Sequence, residues 1–211
     1  MSPIISQKCS TKKQRTNSQM VLWTIQPRHI WELIQNEGVY ICDPAKFSMP
    51  EFATQYNWLV ERMTEKLGPP PSGVKYPVWA WYKQDGKRDK PDLRRERWGY
   101  GPGDEEYCCI EIDLPDEQVL LSDFNAWGII LNNGLLSESE EEDSLLDSQY
   151  DSMTPAQQQL FKRENWNRVF DLTPVHSDWI IRGEWIQATF WVLKKEDVLN
   201  VVFFRTAKHR R

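Results

Sequence analysis

The sequence predicts an α+β fold: a single domain built on a mixed, mainly antiparallel sheet with several short helices. Three observations carry this. Cys108-Cys109-Ile110-Glu111-Ile112-Asp113-Leu114 alternates in polarity from Ile110 on, the period of a half-buried strand. Phe52, Tyr56, Leu59, Val60 and Met63 recur instead at helical spacing. Strand-like and helix-like segments follow one another without βαβ regularity.

Taken in order, residues 1–19 carry Lys8, Lys12, Lys13 and Arg15 with no acid and no periodicity, and read as a disordered basic tail before a domain over 20–207. Met20–Gln26 is a strand stopped by Pro27. A short helix follows, with Ile30, Trp31, Leu33 and Ile34 on one face and Gly38 as its stop. Val39–Cys42 is a second short strand. Ser48-Met49-Pro50-Glu51 reads as a capping box opening a helix to about Leu67, ended by Gly68-Pro69-Pro70-Pro71. The segment around Trp79 is a strand, followed by a charged loop to Gly103. Val119-Leu120-Leu121 is short and apolar. Ser122-Asp123 caps a helix that includes Trp127 and Ile130 and stops at Gly134.

Residues 137–152 are acidic and read as a flexible insertion, with the option that residues 137–151 fold over the basic loop as a cover. Thr154-Pro155-Ala156-Gln157 is a second capping box, and Trp166, Val169 and Phe170 continue that helix's apolar pattern. Trp185–Leu193 and Val198–Arg205 read as the last two strands, joined by a turn at Lys194–Asp197.

Composition narrows the function classes. With 211 residues, 40% hydrophobic and 27% charged, the balance is globular and the length suffices for a core. A net charge of -5 opposes a chain-wide nucleic-acid footprint but leaves room for a local basic face. Four cysteines without CxxC spacing suggest neither a zinc site nor a disulfide framework, and point to a reducing, cytoplasmic setting. Three dispersed histidines lack neighbouring ligands, and no phosphate-cradling glycine loop occurs, so no catalytic or metal-ligating set is singled out.

Eleven tryptophans are many for this length. The densest aromatic segment is Tyr76-Pro77-Val78-Trp79-Ala80-Trp81-Tyr82, running into a basic loop with Lys87, Arg88, Lys90, Arg94 and Arg95. On a regular strand Trp79 and Trp81 share one face and Val78, Ala80 and Tyr82 the other. Two accounts fit this segment. Either the rings line a cleft and the cations hold nucleotide or nucleic-acid phosphate, or a core strand leads into a solvated hairpin whose charges pair locally. Asp123, at a strand-to-helix junction, is a ligand orienter or an N-cap, the cap being the simpler role. Gln187 and Thr189 form a polar pair beside Trp191 on a late strand.

The motifs Leu22-Trp23-Thr24-Ile25-Gln26, Tyr76–Tyr82, Lys90-Pro91-Asp92-Leu93-Arg94, Val119–Phe124 with Trp127, and Ile186–Trp191 together resemble a bacterial family of small, functionally uncharacterised cytosolic domains, over roughly residues 20–205. The layout of the two ends is also similar to that of ADP-ribosyltransferases, especially the DNA-targeting toxins. That resemblance implies NAD as cofactor, held by a residue of the first strand and a Glu of the late one. Thr24 and Thr189 occupy those places here, and a hydroxyl does not supply the carboxylate's charge, so the resemblance implies a degenerate member that binds without transferring, or one using a different acid. The ligand-binding candidates are therefore Thr24, Gln26, Trp79, Trp81, Tyr82, Arg94, Asp123, Gln187 and Thr189. The alternative is a binding module meeting a polyanion or a protein through residues 83–97.

Overall fold

In a computed structural model, residues 18–42, 50–101 and 103–207 are described. The predicted tail up to residue 17 and the Ser48-Met49 half of the first capping box lie outside them.

The chain opens with β1 (Gln19–Pro27) and α1 (Arg28–Glu37), where Ile30 and Ile34, one turn apart, are buried. Gly38 ends α1 at φ 78, a left-handed conformation that costs a side chain energy and glycine none. Next come β2 (Val39–Tyr40), α2 (Ala53–Leu67) and β3 (Val78–Lys83). The chain continues through α3 (Leu93–Glu96), β4 (Glu106–Pro115), β5 (Leu120–Asp123) and α4 (Phe124–Leu131). α5 (Glu140–Asp151), α6 (Pro155–Asn165) and a 3-10 turn at Trp166–Phe170 follow. The last strands are β6 (Val175–His176), β7 (Ile181–Arg182), β8 (Ile186–Phe190), β9 (Leu193–Lys194) and β10 (Val198–Arg205).

Six strands make one sheet in the order β10-β4-β1-β3-β8-β5, with every neighbouring pair antiparallel. β2 pairs with β9 and β6 with β7 in two small ladders. The fold is α+β, as the sequence indicates. Register divides the side chains between two faces. On one, Leu22, Val78, Ala80, Cys108, Ile110, Ile112, Ala188 and Phe190 pack under Ile30 and Ile34 of α1. On the other, Leu120 and Trp79 meet Trp58, Leu59 and Met63 of α2, Trp127 and Ile130 of α4, and Trp166 and Val169. A smaller cluster of Trp23, Ile25, Tyr107 and Cys109 is covered by Leu93 and Tyr100.

The structure departs from the expectations in four places. The acidic 137–151 stretch, expected as a flexible insertion, forms α5. Ser139 Oγ accepts the Glu142 N–H at 3.1 Å, and four acids in the first turn offset the helix dipole. Its carboxylates pair with Arg168 and Arg182, not with the basic loop. The charged loop contains the turn α3, capped by Asp92. The strand expected over Trp185–Leu193 breaks at Trp191-Val192, so β9 leaves the main sheet for β2. The hairpin β6–β7 was not foreseen.

Candidate ligand cleft and the aromatic face of the sheet

The residues expected to bind divide between both faces of the sheet. Thr24, Gln26 and Tyr82 belong to the α1 face, where Thr24 Oγ1 donates to the Trp79 carbonyl at 2.8 Å and accepts from Gln26 Nε2 at 2.8 Å. Trp79, Trp81, Gln187 and Thr189 belong to the opposite face, since Trp79 is paired with Thr189 and Trp81 with Gln187. Thr189 Oγ1 donates to the Leu120 carbonyl at 3.2 Å. Both threonine hydroxyls are therefore spent on backbone in the core. Arg94 is 90% exposed and forks onto Asp92 at 3.0 and 2.8 Å. Thr24 does not share a cleft with Trp79 and Gln187.

The aromatic face has its own chemistry. Ser122, Gln187, Trp81 and Trp23 form one cross-strand row, and Trp79 lies in the next. Trp79 packs on Trp127 and edge-on to Tyr56, and Trp81 packs on Phe124 and Trp185. Trp23 Nε1, Trp79 Nε1, Ser122 Oγ and Gln187 Oε1 are buried there without a hydrogen-bond partner among the described residues. Such groups are rare in folded proteins, and four on one face mark it as polar beneath its rings.

Beside this face two arginines of the basic loop are held by carboxylates of the same loop. Arg94 holds the Asp92 carboxyl down to about 2 through their side-chain hydrogen bonds. Arg95 pairs with Asp85 at 2.6 Å, Arg88 stacks 4.0 Å from the centre of the Tyr82 ring, and Lys83 donates to the Gly183 carbonyl at 2.8 Å. Lys87, Lys90, Glu96 and Trp185 line a cavity of about 280 Å³. Burial raises the Glu96 carboxyl above its ordinary range, opposed by hydrogen bonds from Gln84 and Tyr100.

A cleft of about 550 Å³ lies between α4 and the β6–β7 hairpin. Asp123, 1% exposed, joins its two walls. Oδ1 accepts the Ala126 N–H at 3.0 Å, capping α4, and Oδ2 accepts the Gly183 N–H at 2.7 Å, behind the hairpin. Arg182, with a side chain 7% exposed, donates to the Thr173 carbonyl at 3.0 Å and to Glu138 at 2.6 Å, and pairs with Asp171 at 3.2 Å. Charge buried to this extent is tolerated because every arm of the guanidinium is met. At the mouth Trp179, 46% exposed, donates Nε1–H to Ser137 Oγ at 3.2 Å, and that hydroxyl donates to Asp143 at 2.7 Å. Ile129 and Ile181 are exposed beside it.

The model of the family described as Domain of unknown function (DUF3841) matches residues 21–199. The chain belongs to this family. No curated protein and no solved structure matches it. In this DUF3841 domain no group of His, Cys, Asp and Glu among the described residues could hold a metal ion, and none of their helices is long and apolar enough to cross a membrane.

Of the expected residues, Asp123 alone lines the α4–hairpin cleft, and it does so as a structural tie. Sequence reasoning missed Trp179, Ser137 and Arg182. The signal was the Ser177-Asp178 turn in Val175-His176-Ser177-Asp178-Trp179-Ile180-Ile181, with one apolar residue before it and an apolar run after it. Chemically, the DUF3841 cleft offers an indole face and isoleucine side chains under carboxylates from Glu138, Asp143 and Asp178. Its two arginines are committed, Arg182 as above and Arg168 to Glu142 at 2.6 Å.

Proposed function

We propose that the domain is a binding module whose α4–hairpin cleft takes an amphipathic organic cation, an alkyl- or arylammonium group that is free or carried on a partner's basic side chain. The observation that carries this is Trp179. A large ring is left exposed, yet its N–H is pinned through Ser137 to Asp143, so its face is held in one orientation. Exposed and oriented indoles are the best side-chain platforms for cations, worth ~0.5–2 kcal/mol each. The flanking isoleucines reward apolar burial at ~25 cal/mol per Å². The carboxylates around the mouth favour positive charge and repel anions.

The test is thermal unfolding with phenethylammonium, its neutral analogue phenethyl alcohol and the anion phenylpropionate. At about 100 times its Kd a ligand adds ~2.7 kcal/mol, or roughly 5–10 °C in Tm for a chain of this size. The cation is expected to stabilise most, and Trp179→Ala to abolish the shift. Equal stabilisation by the anion would contradict the proposal.

A nucleotide reading is supported by a different observation: Trp185 with Lys87 and Lys90 around the smaller cavity, an indole beside two ammonium groups that make no salt bridge among the described residues. A polyanion would meet the same lysines, because Arg94 and Arg95 are engaged by Asp92 and Asp85. NAD titrated into the wild type and a Lys87→Ala/Lys90→Ala variant decides this, with a binding constant that falls with salt in the first and is lost in the second. ADP-ribosyl transfer draws no support from Thr24 and Thr189, whose hydroxyls face backbone carbonyls.

A further inference from the structure

The main sheet has two edges, and they are finished differently. β5, at one end, has four residues, three of them buried beside α2 and the Trp166–Phe170 turn. β10, at the other, has eight residues and none of them is buried, although β4 next to it is largely buried. Among the described residues no strand pairs with its outer side. Val198–Phe204 also lacks the charges and prolines that usually protect an open edge, and Leu199 and Phe203 are 57% and 51% exposed.

The hydrogen bonds show which backbone groups face out. Thr206 donates its N–H to the Glu105 carbonyl at 2.9 Å and accepts the Asp104 N–H at 3.2 Å, while the Ala207 N–H goes instead to the Arg97 carbonyl at 2.7 Å. An antiparallel strand alternates sides, so Val202 and Phe204 bond β4, and Val201, Phe203 and Arg205 turn N–H and C=O outward. Val201 and Phe203 lie opposite Ile110 and Cys108, on the α1 face. Beside Phe203 a groove of about 320 Å³ is lined by Arg28, Trp31, Glu32 and Gln35 of α1. Its charges are matched within the chain: Arg28 bonds Glu32 at 3.0 Å and Glu106 at 2.8 Å, and Arg205 pairs with Asp104 at 3.2 Å and Glu106 at 3.6 Å.

We propose that β10 pairs with β10 of a second copy of this chain, antiparallel about a two-fold axis at Val202. Charge favours a copy over a foreign strand. An uncharged edge has nothing with which to select an oppositely charged partner, and pairing Asn200–Phe204 with itself sets no like charges against each other. The two-fold places Phe203 of the second copy opposite Val201, which meets the outward backbone groups of both and turns the ring toward Trp31. It also brings Arg205 of the second copy to the end of the strand where Asp197 makes no salt bridge among the described residues. The register shift between Val198 and Asn200 ends the regular ladder there, so the contact is short, and its two-fold symmetry closes it at two chains.

The experiment is sedimentation velocity of the full chain from micromolar to millimolar concentration. The mass should rise from that of one chain to that of two, with a Kd on the order of 10–100 µM, as suits a small interface. Phe203→Lys sets two ammonium groups diagonally across the axis and should raise Kd about tenfold or more. Val201→Pro removes an outward N–H but none that bonds β4, so it should abolish the dimer and leave Tm close to that of the parent. In a Cys9→Ser/Cys42→Ser background, Val202→Cys puts two thiols on a non-hydrogen-bonded pair whose Cα atoms stand about 4.5 Å apart, within disulfide reach. It should oxidise to a covalent dimer, and Phe204→Cys should not. A single chain at every concentration, as when another segment of the chain covers this edge, would overturn the proposal. So would a dimer indifferent to both Phe203→Lys and Val201→Pro, no covalent dimer from Val202→Cys, or equal cross-linking by Phe204→Cys.

Discussion

Replacing Asp123 by Asn separates the two roles of its carboxylate. Oδ1 caps α4 at Ala126 and Oδ2 holds Gly183. Asn is as good an N-cap as Asp, so the first arm survives. On the second arm an NH2 group then faces the Gly183 N–H, two donors opposed at a site 1% exposed, where water does not intervene. The lost charge-assisted bond is worth ~1.5–3 kcal/mol, and the unmet donor adds ~1–3 kcal/mol, partly overlapping with the first. A net loss of about 3 kcal/mol is expected, about 6–12 °C in Tm. Urea unfolding measures it, with an unchanged m-value showing that the folded state stays compact. Asp123→Ser, which keeps a capping oxygen but not the reach to Gly183, should lose a similar amount. An Asn variant within ~0.5 kcal/mol of the parent would refute the claim that Asp123 ties helix and hairpin together.

Three further outcomes follow from the geometry. Gly183→Ala should cost at least about 2 kcal/mol in the same assay, because φ is 80 and a Cβ would stand 2.8 Å from the Leu172 carbonyl oxygen and 3.0 Å from Pro174 Cα. Burial pushes the Cys108 and Cys109 thiols up to about 12, so in a Cys9→Ser/Cys42→Ser variant neither should react with a thiol reagent at neutral pH until urea is added; rapid native labelling would contradict their burial. Hydrogen bonding from Arg168 holds the Glu142 carboxyl below its ordinary range. The stabilisation this gives α5 is complete above the unfolded-state pKa and is lost as pH falls through the folded one. Protection factors of α5 amides should therefore drop on acidification in the parent and stay flatter in Glu142→Gln.

Much of the fold was legible because its signals are local. The alternation through Ile110–Leu114, the left-handed stop at Gly38 and the Thr154 capping box depend on neighbours a few residues apart, and each appears where its pattern places it. The two faces of β3 were legible for the same reason. What was not legible depends on pairing across the chain. Acids at 138–143 read as solvated because their partners, Arg168 and Arg182, lie 26 and 44 residues away in sequence for the two closest pairs. Thr24 and Trp79 look alike as site candidates until register puts their side chains on opposite faces. Trp179 was passed over because its hairpin has only two residues per strand, too short for period-2 alternation to show.

The most direct test of the ligand cleft watches Trp179 itself. With indole nitrogens labelled by ¹⁵N and the Trp179 resonance assigned by Trp179→Phe, phenethylammonium should shift that peak saturably, and phenylpropionate should leave it in place. A Trp179 resonance unmoved by the cation, or moved equally by the anion, would contradict the assignment of this cleft as a cation-binding site.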